Sequence, residues 1–186
     1  MATKNIFQII GDKIKAAFAA KSSSLPSTGQ KHISSNGIEL VKEFEGLYLR
    51  AYDDGGGVMT IGWGHTGLRH NDGTVYPGRR ISREDAEDLL RYDMQKFEKD
   101  VSRLVKVPLN QDEFDALVSF HFNTGALASS TLLTKLNRED RDGAAAQFTK
   151  WVFDKENSPD PLPGLVRRRK SERNLFLGLR PFIIKG

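Results

Sequence analysis

Apolar residues recur at three- and four-residue steps along much of this chain. Ile6, Ile10, Ile14, Ala17 and Phe18, with Phe7 beside them, give residues 5–21 the period of an amphipathic helix, weakened in mid-course by Gly11. The following stretch, SSSLPSTGQ, reads as a linker and places a boundary at residues 31–33. A second stripe, Ile38, Val41 and Phe44, follows a capping-box pattern at Asn36 and Glu39, and Gly46 is placed to end that helix in a left-handed turn. Between residues 47 and 64 the period changes. Leu49, Tyr52, Val58, Met59, Ile61 and Trp63 surround the turn Asp54-Gly55-Gly56-Gly57, which predicts a β-hairpin or small sheet. Ser82, with Glu84 and Asp85 in a first turn, opens a long helix to about residue 104 that turns Ala86, Leu89, Leu90, Met94 and Phe97 inward. Asn110 caps the next helix, whose stripe is Phe114, Leu117, Val118 and His121. Shorter helices are expected over 129–136 and 140–153, and a final one over 164–177 after Pro161 and Pro163. One small sheet followed by a run of helices predicts an α+β fold, with a β-lobe and a larger helical lobe joined by a long helix. A cleft between such lobes suits an extended ligand.

Composition narrows the chemistry. Cysteine is absent, which excludes a disulfide framework, a thiol nucleophile and thiolate metal sites. The formal charge is +4, and residues 1–32 account for it, with five lysines against Asp12 alone. The rest of the chain is balanced, a poor match to a nucleic-acid-binding domain with a basic face of its own. No uninterrupted apolar run reaches the length of a spanning helix. Residues 1–32 therefore read as an amphipathic arm and linker. Asp12, Lys13 and Lys15 interrupt its apolar centre and disfavour both a signal peptide and a signal anchor. Two readings stay open: a helix lying on an anionic membrane surface, or one packed against the main domain or a neighbouring chain.

Two acids and a hydroxyl stand out in the body. Glu45 ends the helix before Gly46, Asp54 sits where the first strand meets the glycine turn, and Thr60 is on the returning strand. A helix end feeding a hairpin can bring all three around one space. Glycosidic hydrolysis needs an acid at the leaving oxygen and a carboxylate opposite it, in surroundings that differ. Glu45 is flanked by apolar Phe44 and Leu47, whereas Asp54 adjoins Asp53 and an open turn.

The wording around these residues resembles the phage-type lysozyme family, glycoside hydrolase family 24. Glu45-Gly46-Leu47, Tyr52-Asp53-Asp54 and Thr60-Ile61-Gly62-Trp63-Gly64-His65 keep the family's spacing of acid, acid and threonine. The resemblance continues through Gln111–Phe120, Asn123-x-Gly125, Ser130-Thr131-Leu132-Leu133 and Leu162–Phe176, and so spans residues 34–180. It implies a lysozyme-like domain over 33–186, with Glu45 as general acid, Asp54 as the carboxylate aiding the attacking water and Thr60 placing that water. The implied reaction is inverting hydrolysis of the β-1,4 bond between N-acetylmuramic acid and N-acetylglucosamine, with no metal or cofactor. The implied protein is a phage endolysin that accumulates in the cytoplasm of a Gram-negative host, acts on its peptidoglycan as a monomer, and binds no nucleic acid. A non-catalytic lysozyme-like module and a virion-associated lysozyme are the alternatives. His65, Phe122 and Thr131 are candidate sugar contacts, each with a structural reading beside it: an ion pair, core packing and a helix cap. Of Arg167, Arg168 and Arg169, one is expected to face Glu45 and the others to form a solvated face. Leu127-Ala128 stands where the family often has an aromatic residue.

Overall fold

The structure, a computed structural model, describes residues 31–66, 75–153 and 160–185. The amphipathic helix expected over 5–21 and its linker lie outside these residues. The folded unit opens with a segment held by distant acids. The Ile33 amide donates to Glu98 Oε1 at 2.9 Å, and His32 Nδ1 lies 2.9 Å from Glu98 Oε2. The Ser34 amide donates to Asp115 Oδ1 at 3.0 Å, and the Ser34 hydroxyl donates to the other Asp115 oxygen. Helix α1 (Ser35–Phe44) starts from that anchor. The box expected at Asn36 and Glu39 does not cap it: Ser34 is the capping position, and its hydroxyl is committed to Asp115 instead of a helix amide. Gly37 allows this close approach, because a Cβ there would stand 2.9 Å from Asp115 Cβ.

The end of α1 also differs from expectation. Glu45 leaves the helix in an extended conformation (φ −102°, ψ 133°), and Gly46 is not left-handed. Gly46 has a packing role instead, since a Cβ would lie 2.8 Å from the Tyr48 ring. Strands β1 (Tyr48–Asp53) and β2 (Met59–Gly62) then form the expected hairpin, with Tyr48 opposite Gly62, Tyr52 opposite Thr60 and Asp53 opposite Met59. Residues 79–81 run antiparallel along β1 as well: the Ala51 amide donates to the Arg79 carbonyl at 2.9 Å, and the Ile81 amide to the Leu49 carbonyl at 3.0 Å.

Helix α2 (Arg83–Leu104) is the long connector, opened by a reciprocal capping box of Ser82 and Asp85. Near its start Ala86 packs under Gly62, whose φ of 68° suits glycine. Near its end Phe97 meets Phe122 and His121 edge-on, at ring separations of 5.3 and 5.4 Å. Helix α3 (Gln111–Thr124) is capped by Asn110 and Glu113, ends at left-handed Gly125 and is the centre of the core, with Phe114, Leu117, Val118 and Phe120 buried. A short 3-10 turn (Leu127–Ser129), α4 (Thr131–Leu136), α5 (Arg141–Phe148) and α6 (Pro163–Phe176) complete the described elements. The helix expected to run to residue 153 stops at Phe148; Trp151 then packs edge-on against Phe120 at 5.3 Å. The whole is the expected α+β arrangement, a small sheet linked by α2 to a helical body. Among the described residues, no helix is long and apolar enough to cross a membrane.

The α2–α3 contact carries a pH dependence. His121 is buried, its Nε2 lies 3.4 Å from Asp100 Oδ2, and its Nδ1 has no hydrogen-bond partner among the described residues. Burial pushes its pKa below the ordinary histidine value, and Asp100 only partly opposes this. The folded chain therefore binds this proton less well than the unfolded chain, so stability falls as pH drops below about 6.5. Replacing His121 with Leu is expected to flatten the change in Tm between pH 7.5 and about pH 5. An unchanged slope would remove His121 as its source.

Candidate active site

Glu45, at the end of α1, leads through Gly46 and Leu47 directly into the hairpin. The Glu45 side chain is about one-quarter exposed, and its Oε1 accepts a hydrogen bond of 2.6 Å from Arg168 Nη1 on α6. Its Oε2 has no partner among the described residues. The Asp54 Oδ1 accepts from the amides of Gly56 (2.8 Å) and Val58 (3.3 Å), and its Oδ2 is likewise unengaged. Asp53 takes the alternate amides, from Gly55 at 2.8 Å and Gly57 at 3.0 Å. This interleaving bends the turn so that Gly55 and Gly57 adopt φ values of 92° and 79°, which explains glycine at both positions. Asp54 is thereby fixed by its own turn, with one oxygen left over.

Tyr52 links the two acids. It lies directly opposite Thr60 in the sheet, and its phenol pKa is raised, first by burial, then by Tyr48, and then by the negative charges of Asp54 and Glu45. Both carboxylates thus act on one phenol. Thr60 is 4% exposed, and its hydroxyl donates to the Val58 carbonyl at 3.3 Å, leaving its lone pairs open.

Arg168 is held from behind. It is buried, and its Nε lies 3.3 Å from Glu172 Oε1 one helical turn later. Glu172 also accepts from the Ser119 hydroxyl at 2.8 Å and pairs with Arg169 Nη1 at 2.9 Å. Arg169 is fully buried and donates to Asn123 Oδ1 at the end of α3. Burial lowers the Arg169 pKa, Glu172 raises it and Arg168 adds a smaller lowering effect. Two guanidiniums and two carboxylates therefore alternate from the Glu45 carboxyl into the core. Among the described residues, no group of three or more His, Asp or Glu side chains is placed to hold a metal ion.

The model of the family described as phage lysozyme matches residues 42–172, a stretch that includes Glu45, Asp54, Thr60, Arg168 and Glu172. The chain belongs to the phage lysozyme family. It is 45% identical over 148 residues to an endolysin of Acyrthosiphon pisum secondary endosymbiont phage 1, covering 78% of this chain and 97% of the relative. Among solved structures it is similar to a P22 lysozyme mutant (TM-score 0.70, 45% identity, 79% of this chain and 99% of that one). It is similar also to the muramidase domain of SpmX from Asticaccaulis excentricus (TM-score 0.71, 39% identity, 79% and 99%).

In this phage lysozyme the three candidate sugar contacts fall in different settings. His65 is 1% exposed, and its Nδ1 lies 3.0 and 3.1 Å from the two oxygens of buried Asp93. It ties the end of the hairpin to α2, so its structural reading fits and a sugar contact does not. Phe122 is 8% exposed and packs against Phe97, which again removes its ring from a ligand. Thr131 is exposed at the first position of α4, while Ser130 supplies the cap through a 3.1 Å bond from the Leu133 amide. Arg168 is the arginine that faces Glu45. Arg169, expected on a solvated face, is instead wholly interior. Sequence reasoning passed over Tyr52 and Glu172 as contributors to the site. Glu172 had a signal, since it stands three and four residues after Arg169 and Arg168, the spacing of ion pairs on one helix face.

Proposed function

We propose that Glu45, Asp54 and Thr60 carry out the hydrolysis by which this phage lysozyme acts as an endolysin on bacterial peptidoglycan. The bond cut is the β-1,4 linkage between N-acetylmuramic acid and N-acetylglucosamine. The protonated Glu45 carboxyl gives its proton from Oε2 to the glycosidic oxygen as the bond to the anomeric carbon breaks. Arg168 holds Oε1, which fixes the direction of delivery. The Asp54 carboxylate, aimed by Gly56 and Val58, takes the proton of the attacking water through Oδ2 and faces the positive charge on the sugar ring. The Thr60 hydroxyl, beside Tyr52, orients that water. The products are a new reducing end and a free hydroxyl.

The supporting observation is the matched state of the two acids. Each has one oxygen fixed by the fold and one unengaged, and both act on the same phenol. A lysozyme-like module used only for binding has no need of this arrangement. Purified Gram-negative peptidoglycan should clear on addition of the protein, with new reducing ends appearing in step. Sacculi that bind the protein yet stay intact would favour the binding module.

A further inference from the structure

A pocket of about 480 Å³ is lined by Leu47, Tyr48, Leu49, Arg50, Arg80 and Ile81, its first residue two positions along the chain from Glu45. Its two arginines face each other across an antiparallel bridge between β1 and the segment at 79–81. Like charges directly opposite in a sheet repel. Both are exposed, and among the described residues neither takes part in the ion pairs formed by the other arginines. The floor around them is apolar, and Leu49 and Tyr48 are 40% and 49% exposed. Two arginines, unpaired among the described residues and set opposite each other at a largely apolar pocket, fit a carboxylate, which either can bind through two parallel hydrogen bonds.

The pocket and the catalytic site share a wall. The Tyr48 ring lies over Gly46, next to Glu45, and its centroid is 4.3 Å from that of Tyr52. Tyr52 in turn feels both catalytic carboxylates. A ligand in the pocket therefore sits alongside whatever occupies the cutting site. We propose that Arg50 and Arg80 bind a free carboxylate of the peptide carried by the muramic acid residues of the substrate. This rests on the muramidase reading above, since that substrate brings a carboxylate-bearing peptide covalently tethered to the glycan. The tether supplies the high local concentration that two solvent-exposed contacts need.

The test compares peptidoglycan bearing its native stem peptides with the same material whose peptide carboxyl groups have been converted to carboxamides. The double variant Arg50→Gln/Arg80→Gln is expected to lose roughly tenfold in kcat/KM, about 1.4 kcal/mol, on the native glycan. On the amidated glycan it should match the unaltered protein. The unaltered protein's preference for the native over the amidated glycan should also shrink as salt is raised. Equal loss on both substrates, or no loss on either, would overturn the proposal. So would loss of binding to phosphatidylglycerol vesicles with unchanged glycan kinetics, which would assign the arginines to a phosphate. Failure of the muramidase reading is separable, because the unaltered protein would then cleave neither glycan.

Discussion

Replacing Glu45 with Gln is expected to lower kcat on peptidoglycan by roughly 10²–10⁴-fold, the range removed with a positioned general acid. The change is nearly isosteric. A Gln side-chain oxygen can still accept from Arg168 Nη1, the 2.6 Å contact that holds the native carboxyl. What disappears is an acidic proton at the second position, since an amide N–H is not a proton donor of useful strength. The melting temperature should therefore move little while turnover collapses. A variant retaining more than about a tenth of native activity would exclude Glu45 as the acid, because a general acid is not worth so little.

The second large effect is on stability. Glu172 is fully buried and is the anion between two buried guanidiniums, 3.3 Å from Arg168 Nε and 2.9 Å from Arg169 Nη1. Glu172→Ala removes the anion paired with buried Arg169, which keeps its hydrogen bond to Asn123, and takes away the acceptor of the Ser119 hydroxyl. Uncompensated buried charge of this kind costs about 3–5 kcal/mol, which in a chain of this size lowers Tm by roughly 10 °C. The double change Arg169→Met/Glu172→Leu removes both charges and should recover much of the loss. If Glu172→Ala melts with the native protein, the alternation of charge behind Glu45 contributes nothing to the fold. Activity should fall in Glu172→Ala beyond what its stability explains, because Arg168 loses the partner that aims it at Glu45.

The features legible in the sequence are those set by neighbours in the chain. The caps at Ser82 and Asn110 form as expected, and in each an acid three residues later closes the cap into a reciprocal box. The hairpin follows from alternating apolar residues around three glycines. Glu45, Asp54 and Thr60 stand within sixteen residues on a helix end and a short hairpin, where Tyr52 pairs with Thr60 and is influenced by both acids. Features set by distant partners were not legible. The start of α1 is set by Ser34, whose hydroxyl is bound to Asp115, 81 residues away, and not by the local Asn36–Glu39 pattern. Gly46 looks like a helix terminator in the sequence, whereas its lack of a side chain makes room for the Tyr48 ring. A run of arginines ordinarily faces solvent, and only the packing of α6 on α3 makes Arg169 interior. The Arg50–Arg80 pocket depends on a bridge between segments thirty residues apart, which no local pattern announces.

Glycosidic hydrolysis assisted by Glu45 and Asp54 is tested most directly by mass spectrometry of a peptidoglycan digest made in 18O-labelled water. Fragments ending in reducing N-acetylmuramic acid that carry one solvent-derived oxygen are the predicted products. Fragments ending in an anhydro sugar without label, or cleavage confined to the peptide, would contradict the account.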